Sequence, residues 1–345
     1  MNRLTPDADD ARFIRRVIIL IVILAVAVAL YRAGDLLILA FGSVLGAIVI
    51  RAAAEQYDRL PHIGKRMGLL LGILTVFVVL GFLGWLFGVH FAGQVNALVE
   101  ETPVLALRFD RWLSQSPLGA QLSNALKAGY ASSHLAQGAG GLLRGGGEFL
   151  LNAILMLFGS LFFAADPALY RRGLLLLVPA TKRPVFADAL EDVGETLKLW
   201  LRAELILMTT MGLLIGFGLW IAGVPSAGAL GLLAGLSEFI PYVGPTIAML
   251  PALGFAATVG QGPLIGALAT YAVVRIIQTN FITPYVQARV VSIPPAVTLF
   301  SIIGIGVVFG LFGLFFSAAL LVAIFTLVRS LYVRDLLGEV VESPR

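Results

Sequence analysis

The sequence predicts an all-α, polytopic membrane protein with about six full helical spans and two broken or re-entrant helical hairpins, conventionally about eight spans. Three observations predict it. Of 345 residues, 59% are hydrophobic and only 13% charged, where a soluble chain would carry about a quarter. The mean hydropathy of +0.95 is spread over many long apolar runs, which marks a chain that crosses lipid repeatedly. Lys and Arg gather in alternate connections between those runs.

The runs can be taken in order. Span one is expected near Phe13–Tyr31, behind Arg12, Arg15 and Arg16. Ala25-Val26-Ala27 imitates a signal cleavage site, but further apolar spans follow at once, so an uncleaved span is expected. Span two covers about Asp35–Ile50, span three Met67–Phe91, span four Phe149–Ala164 and span five Leu201–Ile221. Trp200 and Trp220 bracket the fifth as interfacial aromatics do. Shorter apolar segments follow near 226–240, 246–259, 263–277, 296–309 and 311–328. Most fall short of the roughly 20 residues a crossing needs. Segments joined by Pro or Gly at 226–259 and 296–328 therefore read as hairpins or as paired tilted spans.

Between the spans, 51–66 carries Arg51, Arg59, Lys65 and Arg66, and 166–202 carries Arg171, Arg172, Lys182, Arg183 and Lys198. The positive-inside rule places both in the cytoplasm, with both termini. Leu190, Val193, Leu197 and Leu201 form a helical stripe, expected on the membrane or against the bundle. Residues 94–147 fall outside, with amphipathic stretches at Val104–Leu113 and Leu122–Ala131 and a glycine-rich run to Gly147 that reads as a flexible linker. The resulting divisions are 1–91 (tail and spans one to three), 92–147 (extracytoplasmic segment), 148–222 (spans four and five with the inner loop), 223–328 (a core with two broken hairpins) and 329–345 (cytoplasmic tail). GxxxG pairs, among them Gly42/Gly46, Gly212/Gly216, Gly231/Gly235 and Gly306/Gly310, let helices approach closely. They suit intramolecular packing and a homo-oligomer equally.

Several function classes are set aside. The chain has no cysteine, hence no thiol nucleophile or zinc-thiolate site. Its three histidines are scattered without ligand spacing. The net charge of +4 reflects loop arginines rather than a nucleic-acid face. No catalytic constellation, nucleotide motif or cofactor motif is present, so neither an enzyme nor a cofactor is expected. The partners expected are the bilayer and a small polar solute, or a monovalent cation and a proton.

Two stretches resemble each other: Phe239-Ile240-Pro241-Tyr242-Val243 running on to Pro251, and Phe281-Ile282-Thr283-Pro284-Tyr285-Val286 running on to Pro294. Proline lacks an N–H and breaks the helical ladder. In lipid, the freed carbonyl must find a partner or line a wet cavity. Duplicated breaks in apolar segments are expected of a transporter with internal repeats around a midplane site. Chance similarity of two Pro-rich turns is the alternative.

The candidate site is drawn from these breaks. An ionisable group inside a span is a functional candidate by default, which selects Glu238, Arg275 and Glu204. Glu238 could carry a proton if buried alone, or stay ionised beside Arg275. Arg275 could bind a hydroxyl-rich or anionic solute, or snorkel to the interface. Glu204, beside Arg202 near the start of span five, reads more simply as a solvated helix-end group. Gln278, Thr279, Asn280 and Gln287 offer uncharged donors and acceptors around Pro284, for a solute or for freed backbone. Gly244 is expected to permit the tight turn between Pro241 and Pro245, and Tyr242 to face headgroups or cavity.

On Asp166, Leu177-Val178-Pro179, Gly223-Val224-Pro225, Phe239-Ile240-Pro241-Tyr242-Val243-Gly244-Pro245, Asn280 and Pro284, the chain resembles the bacterial autoinducer-2 exporter family of PerM-type permeases. The resemblance covers nearly the whole chain. It implies a protein of the bacterial inner membrane that exports small polar signals such as autoinducer-2, and some members are linked to cation/proton antiport. Members commonly carry Glu where this chain has Gln278, and Leu-His-Pro near the position of Pro294. A scaffold or channel-like assembly without coupled transport is the remaining alternative.

Overall fold

A computed structural model describes residues 34–60, 63–86, 139–287 and 293–336, with the single positions 17 and 88. Span one, most of the segment at 92–147, Arg289 to Ser292 and the end of the C-terminal tail lie outside the described residues. Within them every regular element is helical. Five helices are long and apolar enough to cross a membrane, or six if a bent pair counts as one span.

Helix α1 (Gly34–Asp58) and α2 (Lys65–Leu86) form an antiparallel pair. Their backbones meet where Gly72 faces Ala54 and Gly68 faces Asp58, and the Tyr57 and Thr75 hydroxyls share a 2.7 Å hydrogen bond. Helix α3 (Ala139–Ala165) runs parallel to α1, with Gly42 against Met156 and Gly46 against Ser160. Ser43 donates to the carbonyls of Leu39 at 2.8 Å and Met156 at 3.1 Å. Arg51 caps the end of α3, its Nε donating to the Ala164 carbonyl at 2.8 Å. The glycine-rich run expected as a linker belongs to α3 from Ala139 onward; continuing the ladder satisfies backbone groups that a loop would leave open.

At Asp166 the chain bends by 91° into α4 (Pro167–Leu176). Pro167 starts this helix without wasting a donor, and Asp166 caps it by accepting from Leu169 N at 3.1 Å. Helix α5 (Arg183–Ile221) follows. The inner stripe and span five, expected as separate elements, are one continuous helix of 39 residues. This moves Trp200 from a span end to mid-helix: it is 5% exposed, while Trp220 stays exposed as an interfacial ring would.

Helix α6 (Ala227–Ser237) packs back on α5 through facing glycines. A Cβ at Gly231 would sit 2.6 Å from the Gly212 carbonyl oxygen, and one at Gly235 2.6 Å from that of Met208. Helix α7 (Val243–Val259) and α8 (Gln261–Ile277) complete a first core around Met211, Ile215, Leu219, Leu230, Ala252 and Ala256. The Tyr271 hydroxyl donates to the Ala248 carbonyl at 3.2 Å and ties α8 to α7.

The two matched motifs do not fold alike. Pro241 lies in a true interruption between α6 and α7. Pro284 lies in a helical run: α8 widens into a π-turn at Gln278–Ile282 and continues as α9 (Thr283–Gln287). There Thr283 N–H bonds the Gln278 carbonyl, five residues back, so the ladder is re-registered just before the proline ring instead of broken. The expected repeat is one of sequence alone.

Helix α10 (Pro295–Val328) holds a left-handed Gly310, φ 63°. A Cβ on Gly313 would lie 2.7 Å from the Ile305 carbonyl oxygen, although residues eight apart in a straight helix are separated by about 12 Å. The chain therefore reverses at Gly310, and 295–328 is a helical hairpin, one of the two topologies its length allowed. Its returning arm, with Ile38 and Leu45 of α1 and Leu197, Trp200 and Leu201 of α5, forms a second core. Beyond Val328 a π-helical stretch, Arg329–Leu336, is fixed to α5 where Asp192 pairs with Arg334 at 2.9 Å and accepts from Ser330 at 2.8 Å.

If the α5–α6 glycine seam sets the spacing, Gly231→Leu should lower thermal stability in detergent by about 1–3 kcal/mol. Gly228→Ala, where a Cβ meets nothing within 4 Å, should leave the melting temperature unchanged.

Candidate functional site

The interruption joins α6 and α7, both helices of the first core, and reaches across to the second. Ala234 belongs to the first core, and Phe239 packs on the second. There the Phe239 ring stacks on Phe315 at 4.3 Å and meets Trp200 edge-on at 5.7 Å. Between these anchors the backbone turns tightly. Val243 N–H donates to the Pro241 carbonyl at 2.8 Å around Tyr242, whose φ is 66° and ψ −47°. This is a γ-turn of the strained hand, costing a bulky residue roughly 1–3 kcal/mol.

The left-handed position is thus Tyr242, where the sequence pointed to Gly244. Gly244 is already in the first turn of α7, and Gly is needed there for space: a Cβ would collide with the Ser237 carbonyl. Pro245 is buried behind it.

Glu238, at the head of the turn, is 8% exposed. Its Oε1 accepts from Gln278 Nε2 at 2.8 Å and from Arg275 Nη1 at 3.3 Å. Arg275 and Gln278, three apart on a helix, present neighbouring faces to one carboxylate. The structure thus brings Glu238, Arg275 and Gln278 together. Glu238 Oε2 and Gln278 Oε1 are buried without a hydrogen-bond partner, two adjacent acceptors lacking donors. The resemblance put Glu at position 278; Gln supplies an N–H that a second carboxylate could not.

A cavity of about 320 Å³ opens beside this cluster. Its walls come from α5 (Trp200, Glu204, Leu207), the interruption (Glu238, Pro241, Tyr242), the end of α8 and its extension (Arg275, Thr279, Thr283), and both arms of the hairpin (Thr298, Leu321, Val322). Its lining takes Trp200, Ala318 and Val322 from the second core and, through Arg275, borders the end of α8 that leaves the first. Glu204 is 17 residues from Ile221, so the cavity is about 26 Å along α5 from that helix's far end, toward the basic end of the bundle rather than midway.

Glu204 is the residue sequence reasoning undervalued. It is 3% exposed, lines the cavity and makes no ion pair among the described residues. Its proximity to Arg202 misled: adjacent positions on a helix point apart, and Arg202 is exposed while Glu204 is buried. Trp200 was missed for the reason already given, and Thr283 and Thr298 carry no signal that sequence could separate from ordinary helix threonines.

Other candidates fall elsewhere. Asn280 is exposed and donates to the Ile276 carbonyl of its own helix at 2.8 Å, serving the backbone around the π-turn. Pro284 is exposed on the same run, and Gln287 ends α9; neither is among the residues that line the cavity. Among the described residues no cluster of His, Cys, Asp or Glu could hold a metal ion.

The model of a family described as "AI-2E family transporter" matches residues 17–332. "Putative transport protein YrrI" of Bacillus subtilis is 24% identical over 73% of this chain and 75% of its own length. A protein of Mycobacterium tuberculosis with the same style of name is 27% identical over 74% of this chain and 71% of its own.

Removing Arg275 should strand the Glu238 carboxylate. Arg275→Met is expected to cost about 3 kcal/mol or less, since the arginine is partly exposed. Adding Glu238→Gln should recover part of that loss, read as a double-mutant cycle of thermal melts.

Proposed function

This chain belongs to the AI-2E transporter family, and on that premise we propose that it is a gradient-driven exporter of a small polar, hydroxyl-bearing solute, of the autoinducer-2 kind, across the bacterial inner membrane. It is a multi-pass membrane protein of a transporter family; the substrate and the mode of movement are the proposal.

The observation that carries the reading is the position of the cavity. It is lined by the second core, the strained turn and the end of α8 where that helix leaves the first core, and one long helix runs through both cores. Packed cores switch between discrete arrangements rather than deforming smoothly. Rocking of one core against the other would open the cavity first to the basic, cytoplasmic side and then outward, which is alternating access. The lining suits a polyol-like guest: Trp200 offers a flat apolar face, Thr279, Thr283, Thr298 and Tyr242 offer hydroxyls, and Arg275 offers fixed donors. A volume near 320 Å³ is at the small end of ligand sites. The chain carries no nucleotide motif, so the reading draws its energy from a gradient and makes no use of enzymatic chemistry.

A second reading, monovalent cation/proton antiport, is favoured by one observation. Two carboxylates line the cavity, and only Glu238 has a cationic partner. Glu204 would then be the group that exchanges a proton.

The test is flux in sealed proteoliposomes. Efflux of a labelled autoinducer-like sugar is expected from the wild type and should fall about tenfold in Glu238→Gln and Trp200→Ala, for loss of a charge-assisted contact or a stacking face. A cysteine pair at Tyr242 and Thr298, closed by a reducible crosslinker, should stop efflux until reduced. Undiminished flux in the closed form would exclude alternating access. Cation-dependent collapse of a proton gradient, lost in Glu204→Gln and without sugar efflux, would instead select antiport.

A further inference from the structure

The bend at Asp166 has no role in the cavity, yet the local sequence encodes it. The Asp166 cap and Pro167 start a new helix at a right angle to α3, the two axes differing by 91°. Because α3 is an apolar crossing helix, α4 runs in the plane of the membrane at the end of that crossing.

One side of α4 is committed to the protein. Arg171 donates to the Ala187 carbonyl at 3.1 Å and pairs with Glu191 at 3.1 Å. Leu175 is partly covered, and the Tyr170 ring meets Phe163 edge-on at 4.5 Å. At about 100° per residue, Leu169, Gly173 and Leu176 share a different side; Leu177, the C-cap, lies at its edge near Tyr170, and Leu174, 50% exposed, lies on the Arg171 side. No residue of α4 is buried: Leu169 is 60% exposed, Leu176 70% and Leu177 82%. A cluster of exposed leucines beside a membrane span cannot be a water-facing surface at low cost. Arg172 flanks this apolar arc and makes no ion pair or hydrogen bond among the described residues. An in-plane helix with Leu169 and Leu176 on one face and a spare guanidinium at its edge has the layout of an interfacial anchor.

We propose that α4 is an amphipathic anchor that lies in the anionic lipid leaflet at the basic end of the bundle, with Leu169, Leu176 and Leu177 in the acyl boundary and Arg172 on lipid phosphate. The partner is the anionic leaflet, whose surface charge complements the Arg172 guanidinium. Through Arg171 and Glu191 the anchor grips the start of α5, the helix that links the two cores. Lipid composition would thereby bear on the element the transport reading requires to move.

The chain has no cysteine, so single spin labels can be placed without background. Leu169→Cys and Leu177→Cys would be labelled in the full-length protein, in vesicles of phosphatidylcholine with and without phosphatidylglycerol. Both labels are expected to collide several-fold more often with dissolved oxygen than with a water-soluble nickel chelate in the anionic vesicles. Arg172→Gln in the Leu177→Cys background, or omission of phosphatidylglycerol, should move the label toward the chelate. Labels as open to the chelate as in water would overturn the proposal. Labels shielded from both colliders would also overturn it, by revealing a protein partner. Equal depth in both lipids and in Arg172→Gln would remove the anionic leaflet as the partner. None of these readouts involves flux, so they stand apart from the test of transport.

Discussion

The Glu238 carboxylate is the contact on which the arrangement depends. A helix interrupted inside an apolar bundle exposes backbone groups and, here, a charged side chain to surroundings that cannot solvate them. Arg275 and Gln278 meet that charge from a neighbouring helix. The interruption between α6 and α7 is therefore a defined joint rather than a defect. The strained Tyr242 persists because Phe239 on one side and the Gly244–Ser237 contact on the other over-determine the turn.

Small residues do for the packing what Glu238 does for the joint. Lipid tails are as apolar as leucine, so helices in a bilayer gain little from hydrophobic burial and rely on close approach. The α5–α6 seam, the α1–α3 seam and the hairpin closure at Gly306 and Gly313 are all glycine contacts. Large side chains concentrate in the two cores, and the polar cavity lies against the second. The 39-residue α5 belongs to both cores, so it transmits any change in one to the other without a hinge of its own.

Much of this was legible in the sequence. Class and approximate spans follow from hydropathy and length, because lipid leaves few options for a backbone, and a hairpin at 295–328 was one of the two topologies its length allowed. Glu238, Arg275 and Gln278 stood out since ionisable and amide groups are rare in such sequence, and all three meet. What could not be read was direction. Sequence proximity paired Glu204 with Arg202, whereas helical geometry turned them to opposite sides. Identical Pro-Tyr-Val motifs suggested identical breaks, but a π-turn of slightly wider pitch absorbs Pro284 while Pro241 ends a helix. Asn280 looked like a ligand and serves its own backbone. Trp200 looked interfacial because the start of α5 was placed too late. These are matters of helical phase and register, which composition does not encode.

The hairpin reversal at Gly310 has one more consequence. Both its arms connect to the rest of the chain at the basic end, while among the described residues its tip makes aromatic contacts: Phe309 against Gly34, and Phe312 stacked on Phe149 at 5.5 Å. Among the described residues, the hairpin tip is thus packed by rings. A hydrated ion passing between such rings would have to shed its water and gain no ligand from them in return.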